Sequence, residues 1–368
     1  MMYSRWTAIF SVGLLVCMTV SWWALQHDEQ TAALILDQPP YQSETYVSYW
    51  RDRIGAVGAV AAYEEFADAI EQKRMQLPSF TVSSQHTAAH SFGDALYRQE
   101  GVTGVNVCDD RYSYGCFHMF FGRAVEEESL TVVPILNDYC MGIGGFRASN
   151  CQHGVGHGLL GFLGHNDIAM LNQALARCRD LPNTSVTGGC YSGVFMEYNL
   201  QQLLYDEMVP REVPVAGLGA PCTIGAILSD AQFACWYRLP QWWIQVLFTG
   251  ERTKATYRAL ADTCATYAST DRERYACLKG LGSQIAIGAD DAPEILIPMC
   301  AAITSDPVDH AWCIVGEILY LRRLDTAPST NYCVDVAAAQ QSLCTLMQTG
   351  SPSEITRFEE DYFFMTNN

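Results

Sequence analysis

Apolar and polar positions fall along this chain in blocks of helical length, separated by polar turns, and no long run shows the strict alternation of a strand. The first block stands apart. From Trp6 to Leu25 there are 20 residues without a formal charge, enough at helical rise to cross a bilayer core of about 30 Å. Arg5 precedes this block and Asp28 and Glu29 follow it, so the positive-inside bias predicts a single-pass membrane protein. Its N-terminus would be cytoplasmic and its bulk exported to a periplasm, a lumen or the extracellular space. A cleavage after Ala24 would need small residues where Trp22 and Trp23 stand, so residues 1–26 read as a retained transmembrane signal-anchor. Residues 27–44, with Pro39-Pro40, read as a stalk. Residues 45–101 read as N-terminal helices, one long and amphipathic from Thr45 to Arg74, the next from about Ser84 to Glu100 with Gly101 as its stop.

From residue 102 to residue 350 the pattern repeats. The cysteines after Cys17 form seven successive pairs, Cys108/Cys116, Cys140/Cys151, Cys178/Cys190, Cys222/Cys235, Cys264/Cys277, Cys300/Cys313 and Cys333/Cys344. Second cysteines recur every 31 to 45 residues, a period of stacked helical hairpins. The unit grammar is visible in Ile168–Arg177, a helical stretch ending at Cys178, followed by a Pro/Asn/Thr/Gly loop and an apolar stretch opened by Cys190. The expected fold is therefore all-α: a helical-hairpin repeat array, solenoid or closed α/α toroid, with one disulfide inside each hairpin and residues 351–368 as a C-terminal capping segment. Closing loops of this length removes about 3 kcal/mol of unfolded-state entropy each in the chain-entropy model. In plan the array resembles Sel1-like helical repeats, with different cysteine spacing, and no function is carried over from them. Four units read Cys-x-x-Gly at the second cysteine (Gly154, Gly193, Gly280, Gly316), which predicts a neighbouring backbone pressed against each glycine.

Composition narrows the function classes. Against 40 Asp+Glu stand 22 Lys+Arg, a net charge of −18, and the arginines are scattered, so nucleic acid is excluded as a partner. Setting Cys17 aside leaves 14 cysteines, an even number that suits an oxidising compartment, and no tight C-x-x-C spacing suggests cysteine-bound metal. Asn183-Thr184-Ser185 is a glycosylation sequon in a hairpin loop.

Histidine is the candidate chemistry. His86 and His90 are four apart, as are His153 and His157, so each pair shares a helix face; His118 and His153 both lie two residues after a second cysteine, so stacked units should place them side by side. These five residues are the expected ligands of a transition metal, Zn, Fe or Cu, with Glu197 as a further ligand, a general base or a charge on a helix surface. The competing expectation is a hydrogen-bonded core cluster. H-E-x-x-H and C-x-x-C-H do not occur, and Gly156–Gly161 matches G-x-G-x-x-G without the strand that motif requires. The tryptophan-rich run Trp236–Trp243 is expected to pack inside a hairpin. Two functional classes follow: a membrane-anchored metal-binding protein of unknown reaction, or an interaction scaffold offering a protein or small-molecule partner its repeat surface.

Overall fold

The computed structural model describes residues 41–364 apart from 42, 166, 183–184, 202, 204–208, 290–292 and 324–329. The expected span at residues 6–25, nearly all of the stalk, Cys17 and the Asn and Thr of the sequon lie outside them. Among the described residues the regular elements are helical, and no helix is long and apolar enough to cross a membrane.

The expected helix from Thr45 to Arg74 is two helices, α1 (Glu44–Val57) and α2 (Ala59–Gln76). They break at Gly58, whose φ of 87° is open to glycine and strained for other residues, and whose N–H closes α1 on the Ile54 carbonyl. The amphipathic pattern continues across the break, which hid it. Trp50 of α1 anchors the pair, its ring 5.2 Å from Phe66 of α2 and 5.7 Å from Phe92 of α3 (Val82–Glu100). The Thr81 hydroxyl caps α3 by accepting from the Ser84 N–H, and Gly101 ends it.

All seven disulfides join the sequential pairs. Six inner helices each carry a second cysteine: α4 (Gly115–Glu128), α6 (Gly145–Leu163), α8 (Gly189–Leu200), α9 (Gln232–Phe248), α11 (Asp271–Gly288) and α13 (Pro307–Arg323). Four outer helices carry first cysteines near their ends: α5 (Val133–Ile143), α7 (Ile168–Arg179), α10 (Lys254–Tyr267) and α12 (Pro293–Ile303). The chain closes with α14 (Gln341–Thr349), which holds Cys344, and α15 (Pro352–Phe364). Not every unit is a helical hairpin. Cys222 and Cys333 sit in turns, and Cys108 is an extended residue just past the 3-10 helix Gly101–Val107. Around Cys222, Pro210, Pro214 and Pro221 cannot supply helical N–H groups, and the fully buried indoles of Trp242 and Trp243 donate instead to the carbonyls of Arg211 and Leu218.

The inner helices pack in chain order, α3 on α4 through to α11 on α13. One rule brings three pairs together: the glycine three residues after a second cysteine abuts the carbonyl two residues after the previous one, whereas Gly154 faces the Phe121 ring and the Phe117 carbonyl. A Cβ at Gly193, Gly280 or Gly316 would collide with the carbonyl oxygens of His153, Tyr237 and Lys279 respectively. Position +2 in these three units, where His153, Tyr237 and Lys279 fall, is thereby held at a close helix seam. The last inner helix returns to the first, since the Arg323 carbonyl accepts from the Tyr114 hydroxyl and from Asn150 Nδ2 at 3.2 Å. The inner helices thus surround a central cavity of about 380 Å³, to which every one of them contributes.

Candidate metal centre

The five histidines named from the sequence meet at one side of this cavity, all of them sealed in the protein except for partial exposure of His86. Helix α3 presents His86 and His90, whose Nε2 atoms are 3.1 Å apart. Helix α6 presents His153 and His157, with Nε2 atoms 3.0 Å apart. Between the pairs stands His118 of α4, its ring centroid 5.0 Å from His86 and 4.3 Å from His157. Both ring nitrogens of His118 are buried without a hydrogen-bond partner. Such a group is expensive in a core unless something else occupies its lone pair. Candidate ligand nitrogens lie within 4.8 Å of one another in two triads that share this residue, His86–His90–His118 and His118–His153–His157. These groups could hold a metal ion. A third cluster, Cys300, Cys313 and Glu317, cannot in this state, because its two sulfurs are bonded to each other.

Burial makes these imidazoles neutral. It pulls His86 down to about 4 despite the Tyr112 carbonyl, and holds His90, His118 and His153 well below the usual histidine value, with the neighbouring imidazoles, and for His153 also Arg238 and Arg323, opposing any added charge. A neutral ring has one lone pair to offer, and its other nitrogen decides which. His86 Nδ1 lies 2.8 Å from the Tyr112 carbonyl, which can only accept, so the proton is on Nδ1 and the lone pair on Nε2.

The second pair is governed by charge. Glu197 is not the surface charge that its place in the sequence allowed: it is fully buried, accepting from His157 Nδ1 and His165 Nε2, each at 2.7 Å. Burial alone would raise its pKa, but these two donors win and lower it to about 2, so it is an ionised acceptor. At the other end, Arg238 Nη2 lies 3.3 Å from His153 Nδ1, and a guanidinium can only donate. Proton placement follows from the two ends. His157 carries its proton on Nδ1, and His153 accepts at Nδ1 and carries its proton on Nε2, pointing it at the His157 lone pair. The result is a polar chain, Arg238 to His153 to His157 to Glu197, with His165 closing it.

The wall of the cavity adjoining His153 is cationic, and most of it was not read from the sequence. Arg238 donates to Ser192 Oγ at 2.5 Å and to Gln241 Oε1 at 3.0 Å, and Arg323 donates to the Tyr237 hydroxyl at 3.1 Å. Lys279, fully buried, donates to Thr187 at 2.5 Å and forms an ion pair with Glu359 of α15. Burial raises the Tyr237 hydroxyl, yet Arg323, Arg238 and Lys279 together bring it down to about 8. The signal was there: position +2 holds His118, His153, Ser192, Tyr237 and Lys279 in successive units, and position +3 holds Arg238 where four units have glycine.

No protein-family model matches the chain, and neither a curated protein nor a solved structure matches it.

Proposed function

We propose that the chain is an exported metal-binding protein whose central cavity presents an imidazole-held transition ion, Zn, Fe or Cu, to a small ligand. The observation that carries this reading is His118, a fully buried imidazole with neither nitrogen partnered, standing between two pairs of neutral histidines. The Nε2 separations within those pairs are close to the ~3.3 Å edge of a tetrahedron with ~2.0–2.1 Å metal–nitrogen bonds.

The favoured seat is His86–His90–His118. All three rings line the cavity, and the Tyr112 carbonyl holds the His86 proton on Nδ1, so that an ion would take the Nε2 lone pair in place of the His90 Nε2 contact. In the other triad Arg238 directs the His153 proton onto Nε2, where a ligand lone pair would have to be. His153, His157 and Glu197 therefore act beside the ion, packing its His118 ligand and fixing its surroundings. Three imidazoles leave a coordination position open towards the cavity, the arrangement of catalytic rather than structural sites. The seven disulfides support export to an oxidising compartment, and the uncharged stretch from Trp6 to Leu25 supports an N-terminal membrane anchor with the N-terminus cytoplasmic.

The test is metal content of untagged, oxidised protein, purified without added metal, in single variants. His90→Ala and His118→Ala should lose the ion while His157→Ala keeps it. Loss in His157→Ala with retention in His90→Ala would move the ion to the second triad and refute the proton placement imposed by Arg238.

A further inference from the structure

Arg238 and Arg323 face the cavity without a direct ion pair. Among the described residues neither forms an ion pair with a carboxylate, although the chain carries 40 acidic residues against 22 basic ones. Lys279 nearby shows how the fold treats a buried cation that is purely structural: it supplies Glu359. The hydrogen-bond partners of the two arginines are neutral, Ser192, Gln241, His153 and the Tyr237 hydroxyl, and the carboxylate whose charge reaches Arg323, Glu359, is already paired with Lys279. Both flank the ring of Tyr237, their Cζ atoms 5.3 and 5.8 Å from its centroid, so they lie on the same part of the wall. Desolvated guanidinium groups without a directly bonded anion are costly, and their planar fork matches the oxygens of a carboxylate or phosphate.

The repeat itself marks Arg238 as a departure. At the third position after the second cysteine, glycine lets neighbouring inner helices touch in four units, whereas an arginine there puts a long charged side chain between α8 and α9 and into the cavity. The three units without this glycine carry Met119, Arg238 and Met347 there, and of these Arg238 alone is charged.

We propose that this wall is an oxyanion-binding subsite, and that the cavity takes a small organic acid or phosphate ester with its anionic head held by Arg238 and Arg323 and its remainder directed towards the histidines. At about 380 Å³ the cavity lies in the range of small-molecule sites, with Met196, Ile287 and Tyr320 offering apolar contact to the body of such a ligand. This names the ligand class of the metal centre proposed above and rests on that reading for its purpose, but anion binding itself does not need the ion.

Calorimetric titration of oxidised protein with inorganic phosphate and, separately, with succinate tests it, each with metal-free and metal-loaded samples of measured metal content. At least one anion should bind metal-free protein saturably. Arg323→Gln and Arg238→Gln should each weaken it about tenfold or more, the worth of a hydrogen bond to a charged group, and Arg238→Lys should restore only part of the loss. The backbone carbonyl of Arg323 that closes the ring is untouched by its substitution, and disulfide mapping and melting temperature check that each variant is folded. Phosphate binding without succinate binding assigns a phosphate ligand, and the reverse a carboxylate. If neither anion saturates, or if binding appears only with metal and is the same in both glutamine variants, the subsite is refuted while the metal centre stands. If anion binding survives in protein that never takes up metal, the subsite stands and the metal reading fails.

Discussion

Replacing Glu197 with alanine separates the two roles that the site geometry assigns to its histidines. The carboxylate is fully buried and accepts from His157 Nδ1 and His165 Nε2 at 2.7 Å each, and from the Leu203 N–H at 3.3 Å. Each hydrogen bond to an ionised acceptor contributes about 1.5–3 kcal/mol, and removing one member of a buried charged network costs about 3–5 kcal/mol because its partners are left unsatisfied. His157 has no easy alternative. Moving its proton to Nε2 would set it against the His153 Nε2 proton, and moving that one would set it against Arg238. Glu197→Ala is therefore expected to lose about 3–5 kcal/mol of unfolding free energy at pH 7, measured by urea denaturation with the disulfides intact, while the folded variant keeps its metal. If Glu197 instead tuned a metal ligand through His157, its loss would cost 10–100-fold in metal affinity. A variant within about 1 kcal/mol of the parent, or one folded and stripped of metal, would refute the polar-chain account.

Other outcomes follow from the same contacts. Because burial depresses the histidine pKa values, with His86 at about 4 against 6.5, the unfolded chain takes up protons that the fold refuses; metal-free protein should lose stability as pH falls below 6.5 and on towards 4, which denaturation midpoints across that window will show, and flat midpoints would contradict it. Gly193→Ala should cost at least about 1–3 kcal/mol through its collision with the His153 carbonyl, whereas Gly142→Ala, with open space at its Cβ in α5, should stabilise by about 0.5–1 kcal/mol; equal effects would dismiss the seam rule. Glu317 is buried beside the Cys300–Cys313 bridge with no ion-pair partner among the described residues, and burial raises its pKa well above 4.5. The fold therefore holds a neutral acid and is penalised as pH rises above the unfolded value, so Glu317→Gln should raise the melting temperature more at pH 8 than at pH 5, and a uniform shift would contradict the protonated acid.

Cysteine spacing carried most of the fold, since pairs 8 to 13 residues apart leave little choice of partner within a helical hairpin, and the Cys-x-x-Gly recurrence reported where inner helices touch. The clustering of His86, His90, His118, His153 and His157 was legible because helical period and repeat register together fix direction. What could not be seen was anything set by curvature of the array. The side chain of Arg323 reaches Tyr237 of α9 and its carbonyl reaches Tyr114 and Asn150 because the array curves round the cavity, and Glu197 is enclosed by His157, by His165 beyond the end of α6 and by the Leu203 N–H. The placement of Cys108, Cys222 and Cys333 outside α-helices was missed for a different reason: the disulfide closes a loop of similar length whether or not its first arm is α-helical.

X-ray absorption at the metal edge of untagged, oxidised protein addresses the central claim most directly, because it reports the ligand atoms themselves. The account predicts bound metal with an imidazole shell at about 2.0–2.1 Å and no sulfur, in a sample whose seven bridges are intact. No metal above trace, or a sulfur shell near 2.3 Å showing that a bridge has opened to bind the ion, would contradict it.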